Sequence, residues 1–161
     1  VELHVPALLP EDFVPDVHLR LALYQRIAGA DAAALADMTA ELIDRFGPLP
    51  EPAANLLRLA RLRLAARALG IRRFDLGPQV GSVQFEEQNP IEPVRVIRLI
   101  QSKPREFRLD GPLKLRISRH LSQGGARFEY AEQLLAHLAP AATDAAAPAD
   151  PDHKNSDSGR R

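Results

Sequence analysis

The chain has no cysteine and no tryptophan, and aromatic residues fill only 5% of its 161 positions. Without cysteine there is no disulfide, no thiolate metal site and no cysteine nucleophile. A reducing, cytoplasmic setting fits that composition. With rings scarce, the core falls to Leu, Val, Ile and Ala, and an apolar fraction of 45% is enough for one ordinary domain. No run approaches the ~18 continuous apolar residues of a membrane span. No basic-then-apolar signal segment opens the chain. It starts at Val1 in mid-strand style, which reads as a segment of a longer protein.

The motifs that carry chemistry are also missing. There is no P-loop and no dinucleotide-binding glycine pattern, so nothing would cradle a phosphate. His4, His18, His120, His137 and His153 stand singly, without a second ligand at metal-binding spacing. The serines sit in no nucleophile motif. Glu86 and Glu87 are adjacent and would point to opposite sides of a strand. The expectation is a chain with no catalytic, cofactor-binding or metal-binding residues.

What is present is a pattern. Val1–Leu9 reads as a short strand or extended arm. Asp16 caps a helix to about Ala28, with Val17, Leu21, Tyr24 and Ile27 as its expected inner face. Asp31 caps a second helix with Leu35, Met38, Leu42 and Phe46 facing inward, stopped by Gly47-Pro48. A longer third helix opens at Pro50–Pro52 and ends at Gly70. It has two apolar stripes, Ala53/Leu57/Ala60/Leu64 and Leu59/Leu62/Leu69, so it should be sandwiched between two layers.

Beyond Gly70 the period shortens. Ile71–Leu76 and Ser82–Phe85 read as strands about a Gly77-Pro78 turn. Pro90–Gln101 reads as a helix on Val94, Ile97 and Ile100, and Phe107–Leu109 with Leu113–Ile117 as a hairpin around Asp110-Gly111-Pro112. Arg127–Leu138 makes a last amphipathic helix. The class is α+β: N-terminal helices packed around a long central helix, short antiparallel strands, and a C-terminal helix. Residues 1–139 form the domain. Residues 140–161 have no large apolar side chain and are expected to be a disordered tail.

Charge is unevenly spread although the total is zero. Residues 1–50 hold three basic and eight acidic side chains, a net of −5, whereas 51–120 hold fourteen and seven, a net of +7. Two clusters stand out. Arg58, Arg61, Arg63, Arg67, Arg72 and Arg73 are the best candidates for contacts to nucleic-acid phosphates, although they spread around a helix read as largely buried. Asp37, Glu41 and Asp44 form an acidic stripe on the second helix, opposite its apolar face, with Arg45 one turn after Glu41. On pattern alone that stripe reads first as a simple solvated face with one Glu41–Arg45 pair.

Two stretches bear on that choice. LPEDFVPDVHLRLALYQRIA (Leu9–Ala28) and ELIDRFGPLPEPAANLLRLARLRLAARALGI (Glu41–Ile71) closely resemble the C-terminal domain of the bacterial transcription-repair coupling factor family, Mfd. DGPLKL (Asp110–Leu115) resembles it too, and the likeness runs in order from Val1 to Leu138. The resemblance implies a large DNA translocase that uses ATP and magnesium in motor domains outside this chain. Such a protein releases stalled RNA polymerase and recruits UvrA. It implies that this domain is not an enzyme but an autoinhibitory module, docking on the N-terminal UvrA-binding module and masking it. Carried over on the ELIDRFG motif, the contact residues would be Glu41, Asp44 and Arg45, with Asp37 beside them. An accessory nucleic-acid-binding domain is the alternative, and neither a membrane partner nor, for the main reading, nucleic acid is implied.

Overall fold

In the computed structural model, which describes residues 1–140, five helices and four strands follow one another. In chain order they are α1 (Val17–Gly29), α2 (Ala32–Phe46), α3 (Glu51–Ala68), β1 (Ile71–Leu76), β2 (Val80–Phe85), α4 (Pro93–Ser102), β3 (Phe107–Leu109), β4 (Lys114–Ser118) and α5 (Gly124–Leu138). The class is the expected α+β. The tail expectation for 140–161 concerns residues that lie, from 141 onward, outside the described ones. Among the described residues no helix is long and apolar enough to cross a membrane.

Local chemistry sets the helix ends. The Asp16 carboxylate accepts from the amides of His18 (2.8 Å) and Leu19 (3.1 Å), and Asp31 accepts from Ala34 (2.8 Å), so each cap satisfies otherwise orphaned donors. The third helix tolerates Pro52 in its first turn and gives way to Gly70 in the left-handed region (φ 65°). Glycine is required there twice over, because a Cβ would also lie 2.6 Å from Cβ of Asn89.

α3 is buried on two sides, as its two stripes predict. Ala53, Leu57 and Ala60 pack with Leu23, Ile27, Leu35, Met38 and Leu42 of α1 and α2. On the other side Leu59, Leu62 and Ala66 join the sheet, Leu99 of α4, and Phe128 and Leu135 of α5. Leu64, expected in the core, is only half-buried at the edge of the helical layer. Arg58 braces α3 to α5: its guanidinium donates to both Glu132 carboxylate oxygens (2.6 and 2.7 Å) and lies 4.7 Å from the centroid of the Phe128 ring.

The four strands run antiparallel in the order β1-β2-β4-β3, so β4 lies between its hairpin partner β3 and the earlier β2. Alternation puts Phe74, Leu76, Val83, Leu115 and Ile117 into the core, and among the described residues helices cover that face alone. The N-terminal arm adds a single bridge to the β1 edge, with the Glu2 amide donating to Phe74 O (2.7 Å) and the Leu76 amide to Glu2 O (2.9 Å). The buried Arg127 holds the arm in place, donating to the carbonyls of Leu3 (2.8 Å), His4 (2.9 Å) and Ser122 (3.2 Å).

Two buried faces and two helix starts need correction. In α1, Ile27 is buried as expected, but Val17 and Leu21 are exposed and Leu23 is buried instead. A helix with Leu, Ala and Val on several sides lets the docking of its neighbours choose the face. In α4, Val94 and Ile97 are exposed while Leu99 is buried and Val96 and Ile100 are half-buried, so the helix is rolled away from its most apolar direction. Arg95 fixes that roll by donating to the carbonyl of His137 on α5 (3.2 Å). α5 starts at Gly124 rather than Arg127, and α4 at Pro93 rather than Pro90.

Leu57 and Leu64 therefore differ. Leu57→Ala, at a site 1% exposed, should cost about 2–5 kcal/mol because a cavity opens between the layers. Leu64→Ala should cost roughly 1 kcal/mol, since that side chain stays partly in water. Urea midpoints at unchanged slope check this; equal destabilisation by the two substitutions would contradict the layered packing.

Candidate interaction site on the second helix

α2 presents its charges because its opposite side is committed. Leu35, Met38 and Leu42 are buried against α3 and α1, which leaves Asp37, Asp44 and Arg45 exposed and Glu41 at the margin. The helix stops at Gly47, whose φ of 90° is unfavourable for any side chain bearing a Cβ. Pro48 follows and prevents continuation. The charged end thus sits on a fixed helix terminus.

Glu41 is tied within the domain. Its two oxygens accept from Arg26 Nη1 (3.1 Å) and Nη2 (2.7 Å), and Oε1 also accepts from Arg45 Nη1 (3.1 Å). The hydrogen bonds from Arg26 first, then those from Arg45, hold the carboxyl down at about 2, below its ordinary 4.5. Arg45 is positioned a second time: its guanidinium lies 5.1 Å from the Phe46 ring centroid, and Phe46 meets Phe13 edge-to-face at 5.7 Å. Asp37 and Asp44 make no side-chain hydrogen bond or ion pair among the described residues. Ile43, beside Asp44, is 46% exposed.

The four sequence candidates share one surface but differ in kind. Asp37 and Asp44 are available anions, Glu41 is a neutralised anchor, and Arg45 is a cation whose orientation is set. Arg26 and Ile43 belong to the site and were not among the candidates. Arg26 is fifteen positions from Glu41 in sequence, so no local spacing could pair them. Ile43 lies off the helix's buried stripe, and that was a readable sign of exposure. A broad groove lined by Leu62, Ala65, Leu69 and Leu135 lies elsewhere, between α3 and α5, and contains none of these charges. Small ligands take concave sites; a charged helix end outside that groove suits a macromolecular partner.

Comparison with known proteins gives a consistent family. The TRCF domain model matches residues 3–96. The chain is 45% identical over 139 residues to the transcription-repair-coupling factor of Escherichia coli, and 43% identical over 140 residues to that of Haemophilus influenzae. Each alignment covers 86% of this chain but 12% of the relative, so the chain spans about an eighth of those proteins. The Mycobacterium tuberculosis protein of the same name is 47% identical over 75 residues, covering 44% of this chain and 6% of the relative. Among solved structures, the C-terminal domain of transcription-repair coupling factor superposes with a TM-score of 0.65 at 19% identity. That match covers 85% of this chain and 91% of the other, and shows a shared fold.

The Glu41 bridge carries a pH signature. Its folded pKa of about 2 lies below the ordinary 4.5, so its contribution is fully present above about 4.5 and is lost as pH falls through about 2. In Arg26→Gln the first cause is gone and Arg45 remains. The Glu41 midpoint, followed by carboxyl carbon NMR, should rise toward 4.5 without reaching it. An unmoved midpoint would dissolve the bridge.

Proposed function

The chain belongs to the transcription-repair coupling factor family, and on that premise we propose that it is a non-catalytic docking domain that restrains a larger protein. In this reading the α2 end binds the N-terminal module that recruits UvrA and hides that module until RNA polymerase is engaged. The whole protein would then be an ATP-driven DNA translocase acting in repair in the cytoplasm, with its nucleotide chemistry in other domains.

The observation that carries the reading is the pairing of available and pre-set charge on one rigid surface. Asp44 and Asp37 are exposed carboxylates without partners among the described residues, Arg45 is oriented by Glu41 and Phe46, and Ile43 supplies an apolar contact beside them. Acidic groups near a helix C-terminus oppose the helix dipole, so Asp44 is not there for local stability. Side chains already held in place lose little entropy on binding. An arginine-bearing partner surface would complete the set through charge-assisted hydrogen bonds.

The arginines of the alternative reading do not form one face. Arg58 is committed to Glu132 and Arg61 donates to Thr39 Oγ1 (3.0 Å), whereas Arg63, Arg67 and Arg72 line a separate hollow beside Glu86 and Arg73 is exposed on the sheet. The docking reading is tested in the full-length protein without polymerase. Asp44→Arg should leave the fold intact, because the side chain is exposed. It should raise UvrA binding by roughly tenfold or more, as removal of one desolvated charge pair would. UvrA binding unchanged in a correctly folded variant would refute masking through α2.

A further inference from the structure

The sheet is covered on one side only. The helices pack against the face that carries Phe74, Val83, Leu115 and Ile117, and among the described residues no element packs on the other. Strand register orders what that open face displays. One row runs Asp75, Ser82, Arg116, Arg108 across the four strands, and a second runs Arg73, Gln84, Lys114 across three. Glu2 of the arm extends the first row at the β1 edge, and Lys114 lies 3.8 Å from Asp110. Within the rows themselves, four cations and two neutral hydrogen-bonding side chains meet one carboxylate, Asp75. That carboxylate is already engaged, by Arg73 at 3.6 Å and by Nε2 of His4 at 2.9 Å.

Arg108 and Arg116 are the telling pair. They are exposed and directly opposite on β3 and β4, where like charges weaken a sheet. Neither has a carboxylate within ion-pair distance among the described residues. The bulge between Ile71 and Arg73 leaves both Arg72 and Arg73 exposed, but Arg72 lines a separate hollow with Arg63 and Arg67, and only Arg73 joins the rows. The fold accepts local repulsion here, with no gain in packing.

We propose that this open sheet face binds the phosphate backbone of duplex nucleic acid, independently of sequence. Three features select that ligand. Guanidinium groups match phosphate oxygens in geometry, and rows of them across a flat sheet suit a repeated anion. The core of a protein interface needs apolar anchors, and neither row offers a large apolar side chain; the exposed Val80 stands apart, at the end of β2. Strands that recognise single-stranded nucleic acid offer rings on which bases stack, and the two rows contain none. The site is separate from the α2 surface, so a duplex and a docking partner could be held at the same time.

The test uses the 161-residue chain and a fluorescently labelled duplex of mixed sequence, with anisotropy read across a salt series. Arg108→Gln with Arg116→Gln should weaken binding at least tenfold and lower the salt slope by ~2, close to one for each phosphate that an arginine no longer neutralises. The same charge removed from α3, by Arg63→Gln with Arg67→Gln, should change affinity by less than about threefold. Arg108→Lys with Arg116→Lys keeps the charge and should retain most of the affinity. Melting of the glutamine pair should match the parent or exceed it, since a repulsion is removed. No duplex binding at low salt, an equal weakening in the α3 pair, tighter binding of a single strand of equal length, or a face that instead joins two copies of the chain in sedimentation would each overturn the proposal.

Discussion

The two-sided burial of α3 is the constraint on which the rest of the molecule depends. A helix that buries Leu57 on one side and Leu59 and Leu62 on the other has to lie between layers, because either stripe left in water would forfeit most of its transfer energy. One layer is α1 with α2, the other the sheet with α4 and α5. The Arg58–Glu132 bridge over Phe128 locks α3 to α5 where the second layer closes. Both proposed surfaces follow from that arrangement. α2 can bury only the side that meets α3 and α1, so its acidic side faces out. The sheet gives its inner face to α3, α4 and α5, so its charged rows face out.

Much of this was legible where local chemistry decides. The caps at Asp16 and Asp31, the stop at Gly47-Pro48 and the end at Gly70 are properties of single residues, and they appear where the sequence places them. The two stripes of α3 were readable because leucine and arginine alternate sharply around its axis. α1 and α4 were misread where tertiary contacts decide the face. α1 has apolar residues on several sides, so its buried face is chosen by partners such as Tyr24, whose hydroxyl accepts from the Leu9 amide (2.7 Å). α4, by contrast, is one-sided and is turned from that side where Arg95 bonds His137 O. The insertion of β4 between β2 and β3 and the clasp of Arg127 on the arm join residues far apart in sequence, where periodicity carries no information.

The candidate site divides the same way. Asp37, Glu41, Asp44 and Arg45 share a surface because helical spacing demands it. What each can do depends on tertiary partners: Arg26 turns Glu41 from a free anion into an anchor, and the Phe13–Phe46 contact steadies the ring on which Arg45 rests. The result is a surface with little left to order. The pre-set Glu41–Arg45 pair is what the docking proposal for α2 draws on.

The central claim is that the α2 end is where this domain meets the N-terminal module, and amide NMR of the labelled chain tests it most directly. On titration with that module produced separately, shifts should concentrate on Asp37 and on Glu41–Phe46, with the Arg26 side chain following through its bridge to Glu41. Shifts confined to the outer rows of the sheet or to the groove between α3 and α5, or no shifts at saturating module, would contradict it.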